Sequence, residues 1–305
     1  MKLAPAPPLL LALLLLIPAG LARADEPAAV QLRPAWRDGQ TAHYEVWSLR
    51  QRTQEMSFGG DRQSFEITQE MTGEVSWQVD RAHDDGAADV TMTYEWLQAE
   101  LTLPDGEVVV VDSRQRGEEH EQLRLLAGVP LEVAVEPDGT IASVRGVDAI
   151  RRAADNPDAV PSDEDFHYTA SQIATIAGTP AALEPGEAWS VELTAGHDAG
   201  RMHYDMTYRL AGVGRIAGVD VATVTSQARL DLEPELPEGM PPADVRLREA
   251  SYRGQVMVDL ARREVVGRNA VETTSIEMSM DLGGQRVTQS VTERHQSQAL
   301  RISEQ

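Results

Sequence analysis

The sequence has no cysteine, and its only lysine is Lys2. Without thiols there is no disulfide framework, no thiolate nucleophile and no thiolate metal site. Without lysine beyond position 2 there is no Schiff base, no phosphate-loop lysine and no Ser–Lys dyad. Phenylalanine is scarce, at 3 residues, and beyond the N-terminus no apolar run is long enough to cross a bilayer as a helix. Positive charge is also short: the formal net charge is −22. Such a surface repels nucleic acid and anionic lipid headgroups at long range, so nucleic-acid binding is not expected. Missing as well are a G-x-S-x-G elbow, an H-E-x-x-H helix and an acidic pair with glycosidase spacing.

The start of the chain, "MKLAPAPPLLLALLLLIPAGLARADEP", combines Lys2, an apolar core over 9–17 and the small pair Ala22 and Ala24. It reads as a secretory signal over residues 1–24, cleaved after Ala24. An uncleaved anchor is the alternative, although the apolar run is short and Pro18 and Gly20 interrupt its exit. An exported chain without cysteine fits a bacterial envelope, periplasmic or secreted. Cleavage removes Lys2 and Arg23 and no acid, so the remainder is more negative still.

One motif occurs twice, at opposite ends of the chain: "MSFGGDR" from Met56 and "MDLGGQR" from Met280. A glycine pair can cradle a phosphate at a helix N-terminus or turn a hairpin. The residues after each pair do not read as helical; Val287 and Val291, for example, alternate with polar neighbours in the period of a strand. Thr274, Ile276, Met278, Met280 and Leu282 share one face before the second pair. Both pairs therefore read as two-residue turns of β-hairpins.

Alternation continues through most of the chain. Val75, Trp77 and Val79 share a face, as do Val90, Met92, Tyr94 and Trp96. Leu97, Ala99, Leu101 and Leu103 then take the opposite parity, which predicts a β-bulge near Trp96–Leu97. Met202, Tyr204, Met206, Tyr208 and Leu210 alternate likewise, and two Pro-Asp-Gly turns punctuate hairpins. Helical spacing is confined to Val147, Ile150, Phe166, Ile173 and Ile176, with Ser162 and Asp165 as a possible cap. The expected fold is mainly β, with long curved antiparallel sheets of open-barrel or clam-like form. An N-terminal β module (25–150) and a C-terminal one (183–305) are joined by a helical connector (151–182).

The stretches "LRPAWRDGQTAHYEV", "VAVEPDGTIASVRGVDAI", "PAALEPGEAWSV" and "YRGQVMVDLARREVVGRNAVETTSIEMSM" stand in an order that resembles a domain-of-unknown-function family of exported β-rich bacterial proteins, common in planctomycetes. The resemblance covers nearly all the chain after the signal, and it rests on turns and strands. It brings no catalytic or binding residue. The curved-sheet pattern is more distantly similar to periplasmic carriers of the lipoprotein-localisation type, as an analogy of fold alone.

Three chemistries remain in view. His197, Asp198, His203 and Asp205 form the densest polar cluster, but His203 and Asp205 lie opposite the Met202–Tyr204–Met206 face, so no metal or other cofactor is expected. His43 near Glu45, His120 in a charged loop or short helix, and His167 near Asp165 read as solvent histidines. The apolar stripe is more informative. Trp77, Met92, Tyr94, Trp96, Met202, Tyr204, Met206, Met278 and Met280 are the candidate ligand-lining residues, because methionine adapts its shape to irregular apolar partners. The expected function is non-enzymatic binding of an apolar or peptide-like partner, a lipid or a hydrophobic peptide. A structural envelope protein without a small ligand is the alternative, and a hydrolase whose site assembles only in three dimensions comes third.

Overall fold

The computed structural model describes residues 29–58, 61–154, 156, 160–235, 242–283 and 285–302. The expected signal over 1–24, Gly59, Gly60, Gly284 and parts of two expected loops, near 155–161 and 233–243, lie outside the described residues.

The strands are β1 (Thr41–Phe58), β2 (Asp61–Ala82), β3 (Ala88–Thr102), β4 (Val108–Asp112), β5 (Pro130–Val135), β6 (Ile141–Arg145), β7 (Ala188–His197), β8 (Gly200–Ile216), β9 (Val219–Pro234), β10 (Ala243–Asp259), β11 (Glu264–Leu282) and β12 (Gln285–Ile302). Short helices α1 (Glu121–Leu126), α2 (Val147–Ala153) and α3 (Asp163–Ser171) interrupt them. All the strands join one antiparallel sheet in the order β6-β5-β3-β2-β1-β12-β11-β10-β9-β8-β7, with β4 pairing β3. The mainly β expectation holds, and the sheet is not closed into a barrel.

The two halves of the chain meet where its ends meet. β1 pairs with β12 from His43 opposite Ile302 to Phe58 opposite Val287. The glycine-pair hairpins are thus side by side, with Phe58 opposite Asp61 in one and Leu282 opposite Gln285 in the other. Strand pairing runs up to the residues that flank each glycine pair, and Gly283 has φ 62°, the left-handed backbone that tight hairpin turns require. The twice-written motif marks two neighbouring hairpin tips at one end of a shared seam.

Apolar side chains bury on the concave face in two clusters. One gathers Val75, Trp77, Val90, Met92 and Leu131 under Ile150 and Phe166. The other gathers Trp189, Met202, Met206, Tyr208 and Val256 under Ile176 and Leu183. The segment after α3 passes from the first cluster at Ala174 to the second at Ile176. Each large side chain removed from water contributes about 1.5–3 kcal/mol, so neither cluster needs a disulfide to hold it.

α3 begins with the expected capping box. Ser162 Oγ accepts from the Asp165 amide, and the Asp165 carboxylate accepts from the Ser162 amide. The helix stops at Ser171, short of Ile173 and Ile176, which were expected to continue it. Those two isoleucines are instead buried in the irregular stretch beyond it, where Thr175, Gly178 and Thr179 favour turns over helix. α3 packs against both β6 and β7, the two strands that end the sheet order. A helix therefore covers both open edges, one of the ways in which proteins blunt unpaired strands.

The expected bulge is present one position early. Tyr94 pairs with Val75 and Trp96 with Glu74, leaving Glu95 as the extra residue. This turns Trp96 onto the outer face, where Arg114 lies 4.2 Å over its ring and its Nε1 donates to Glu74 at 3.3 Å. His120 departs from expectation too. It is buried at the end of a short 3-10 turn, and its Nδ1 accepts from the Asp112 amide at 3.1 Å. His167 reaches the carbonyl of Ile141 at 2.6 Å, tying α3 to β6.

Candidate functional site

A cavity of about 270 Å³ lies between α3 and the seam of the sheet. It is hollow because the strands crossing beneath it carry small side chains in register. Ser48 is opposite Ser297, Ser297 opposite Ala270, Ala270 opposite Gly254, and Gly254 opposite Ser226. A Cβ on Gly254 would sit 2.6 Å from Ser226 Oγ and 2.9 Å from the Asn269 carbonyl, so glycine alone fits there.

The walls differ in chemistry. Val46, Met71, Tyr94 and Leu97 from β1–β3, with Phe166 and Ile173 above them, make an apolar wall. The opposite wall, from β10–β12, carries Tyr252, Arg268, Glu272 and His295. A bound molecule thus meets apolar surface on one side and polar groups on the other.

Arg268 is buried, at 4% exposure. Its Nη1 donates to the Ser171 carbonyl at 2.7 Å and to Gln172 Oε1 at 3.2 Å. Its Nη2 donates to the Thr175 carbonyl at 2.6 Å. These bonds cap the C-terminal end of α3, where the helix dipole favours a cation. Its Nε has no partner among the described residues.

Glu272 lies across the small-residue row from Arg268, next to His295 in register. Burial pushes its carboxyl up to about 7, while the hydroxyl of Tyr204, donating at 3.2 Å, pulls the other way. The nearby Glu293 carboxylate raises it further, and Arg50 lowers it. Burial depresses His295 to about 4, with help from Arg50, so its ring is neutral at physiological pH. At the rim Arg50 pairs with Glu293 at 3.1 Å. The turn between β7 and β8 curls over to meet β1, with Asp198 2.5 Å from Arg52. Desolvation also depresses the neighbouring His197.

Of the nine candidate ligand-lining residues, Tyr94 lies in the cavity wall. Tyr204 reaches that wall through its bond to Glu272. Trp77 and Met92 are sealed in the first apolar cluster, Met202 and Met206 in the second. Met278 and Met280 are half-buried further along β11 toward its hairpin tip, and Trp96 is on the outer face. Sequence reasoning missed Arg268, Glu272 and His295. A signal existed: Arg268 and Glu272 share the parity of Ile276 and Met278, so the pattern put two charged residues on an apolar face.

His203 of the polar cluster faces Glu233 at 3.2 Å, whereas His197 and Asp198 lie in or beside the β7–β8 turn. Among the described residues, no group of three or more histidine, aspartate or glutamate side chains is placed to hold a metal. No helix of the described residues is long and apolar enough to cross a membrane.

No protein-family model and no curated protein matches the sequence. Among solved structures, the chain is similar to lipovitellin, in a structure titled for its lipid–protein interactions, at 10% identity and a TM-score of 0.44. That match covers 86% of this chain and spans only 25% of lipovitellin. A DUF1329 family protein from Desulfovibrio piger matches over 80% of this chain and 83% of its own, at 11% identity and a TM-score of 0.14. The outer membrane protein OprG from Pseudomonas aeruginosa matches over 88% and 98%, at 6% identity and a TM-score of 0.19. At such scores none of these likenesses bears on fold or function.

Proposed function

We propose that this chain is an exported bacterial envelope protein that holds an apolar molecule, such as a lipid chain or a hydrophobic peptide side chain, between α3 and the sheet. It acts without chemistry on what it holds. The observation that supports this most is the cavity itself: a row of small side chains keeps it open beneath a helix that a curved sheet carries on its free edges. Concave, mostly apolar sites with a few convergent polar groups are the usual form of small-molecule pockets.

The test uses the neutral fluorophore N-phenyl-1-naphthylamine with the purified full chain. Saturable binding at one probe per chain is expected, and Ser297→Phe, which fills the cavity, removes it while leaving the circular dichroism spectrum unchanged. Absence of saturable binding overturns the reading. A structural envelope role would then stand in its place, favoured by the exposed Phe58 and Phe65 on the β1–β2 hairpin.

A further inference from the structure

We infer that the molecule held in the cavity carries an anionic head, and that this head docks on Arg268 while its apolar tail lies along the β1–β3 wall. The inference rests on the apolar-cavity reading and adds the class of ligand to it.

Arg268 carries a full positive charge, is almost wholly removed from water and lines the cavity. Its bonding partners are neutral: two backbone carbonyls and one amide oxygen. No carboxylate lies within ion-pair distance of it among the described residues. The carbonyl end of α3 offsets only about half a charge. One N–H, on Nε, remains without an acceptor. A buried cation left without a counter-charge is costly, and so is a buried donor left without a partner. An anionic oxygen in the cavity supplies the counter-charge that the guanidinium lacks. A guanidinium is the cation best suited to carboxylate or phosphate.

Glu272 does not fill this role. It lies four residues along the same strand, on the far side of the small-residue row, with Tyr204 as its hydrogen-bond partner. With its pKa raised to about 7 it is mostly protonated at pH 6, so an incoming anion meets little repulsion from it there. The walls also give the ligand one orientation. Val46, Met71 and Leu97 offer no polar side-chain atom, so a tail lies against them and the head turns toward β11. The small volume favours a single chain over a bulky headgroup.

The test is displacement of N-phenyl-1-naphthylamine from the full chain at pH 6, where Glu272 is mostly protonated and a carboxylate or phosphate ester is ionised, by ligands that share a twelve-carbon tail: dodecanoate, dodecyl phosphate and 1-dodecanol. An anionic ligand is expected to bind at least about tenfold more tightly than the alcohol, the order of one charge-assisted bond. Preference for dodecanoate assigns a free fatty carboxylate, and preference for dodecyl phosphate assigns a lipid phosphate; either supports the inference. Arg268→Gln should bring anion and alcohol to equal affinity while the neutral probe still binds. Should that variant fail to fold, Ser297→Asp supplies an internal carboxylate on the cavity floor and should reverse the preference toward the alcohol. If the wild-type chain binds the alcohol as tightly as both anions, the anionic head is refuted and the apolar cavity stands. If neither probe nor ligand binds, both fall.

Discussion

The two halves of the sheet arrange their buried aromatic rings differently. The first disperses Tyr44, Trp77, Tyr94 and Phe166 among valine, leucine and methionine, and no two of these rings are in contact. The second brings its rings together: Trp189 stacks on Tyr208 at 5.3 Å, Tyr168 on Tyr204 at 5.2 Å, and Tyr204 meets Tyr252 edge-on at 6.3 Å. A tyrosine fills a core with its ring and still needs a partner for its hydroxyl. Here the hydroxyls of Tyr204 and Tyr252 find Glu272 and Gln172 on the cavity wall. The half with dispersed rings ends in an apolar wall, and the half with clustered tyrosines ends in a polar one. The hollow between them is amphipathic because the cores beside it are built differently.

The strongest way to break this comparison is a charge in either sealed core. Met92→Asp and Met206→Asp replace side chains with 0% exposure and should each cost about 3 kcal/mol or more. Met280→Asp, half-buried on β11 away from both cores, should cost within about 1 kcal/mol. Urea denaturation compares them; equal losses at Met206 and Met280 would mean that the second core is not sealed.

Next comes the hollow. Gly254→Val, in the row that continues from the cavity floor, drives a side chain against Ser226 Oγ and the Asn269 carbonyl, and should cost about 1–3 kcal/mol. A variant of unchanged melting temperature would show that the row beneath the cavity has slack.

The polar wall predicts opposed pH effects. Glu272 has a folded pKa of about 7, raised from 4.5, so its contribution is fully present below pH 4.5 and lost as pH rises through 7. His295 has a folded pKa of about 4, lowered from 6.5, so its contribution is present above 6.5 and lost as pH falls through 4. In the wild type the two oppose each other between pH 4.5 and 6.5. Relative to it, Glu272→Gln should gain stability as pH rises across 4.5–7, and His295→Gln should gain stability as pH falls across 6.5–4. Each effect is on the order of 2 kcal/mol. Chemical denaturation of both variants at pH 4.5, 5.5 and 7 reads the signs, and parallel profiles would remove the half-buried pair from the wall.

The smallest effect is expected outside the sheet. Trp96→Ala loses the stacked Arg114 and a bond to Glu74, for about 0.5–1 kcal/mol, without change in probe binding. Loss of binding would put the outer face in the site.

Much of the fold was legible because it is local. Alternation with a period of two put Val75, Trp77 and Val79, and Met202 through Leu210, on buried faces. Ser162 and Asp165 announced the start of α3 as a capping box. The end of that helix was not legible, because the buried guanidinium that caps it comes from β11. Nor was the orientation of Trp96, because a bulge shifted by a single residue reverses the face of the side chain beside it.

The sequence by itself determined which side of each strand is apolar and where hairpins turn, since both depend on backbone geometry over a few residues. Only the tertiary structure decided that the first and last strands pair, that the two glycine-pair hairpins are neighbours, and that Ser48, Ser297, Ala270 and Gly254 line up under α3. Register between strands from opposite ends of the chain depends on closing long loops around a common core. Parity had marked Arg268 and Glu272 as charges on an apolar face, but only that register brought them to one cavity.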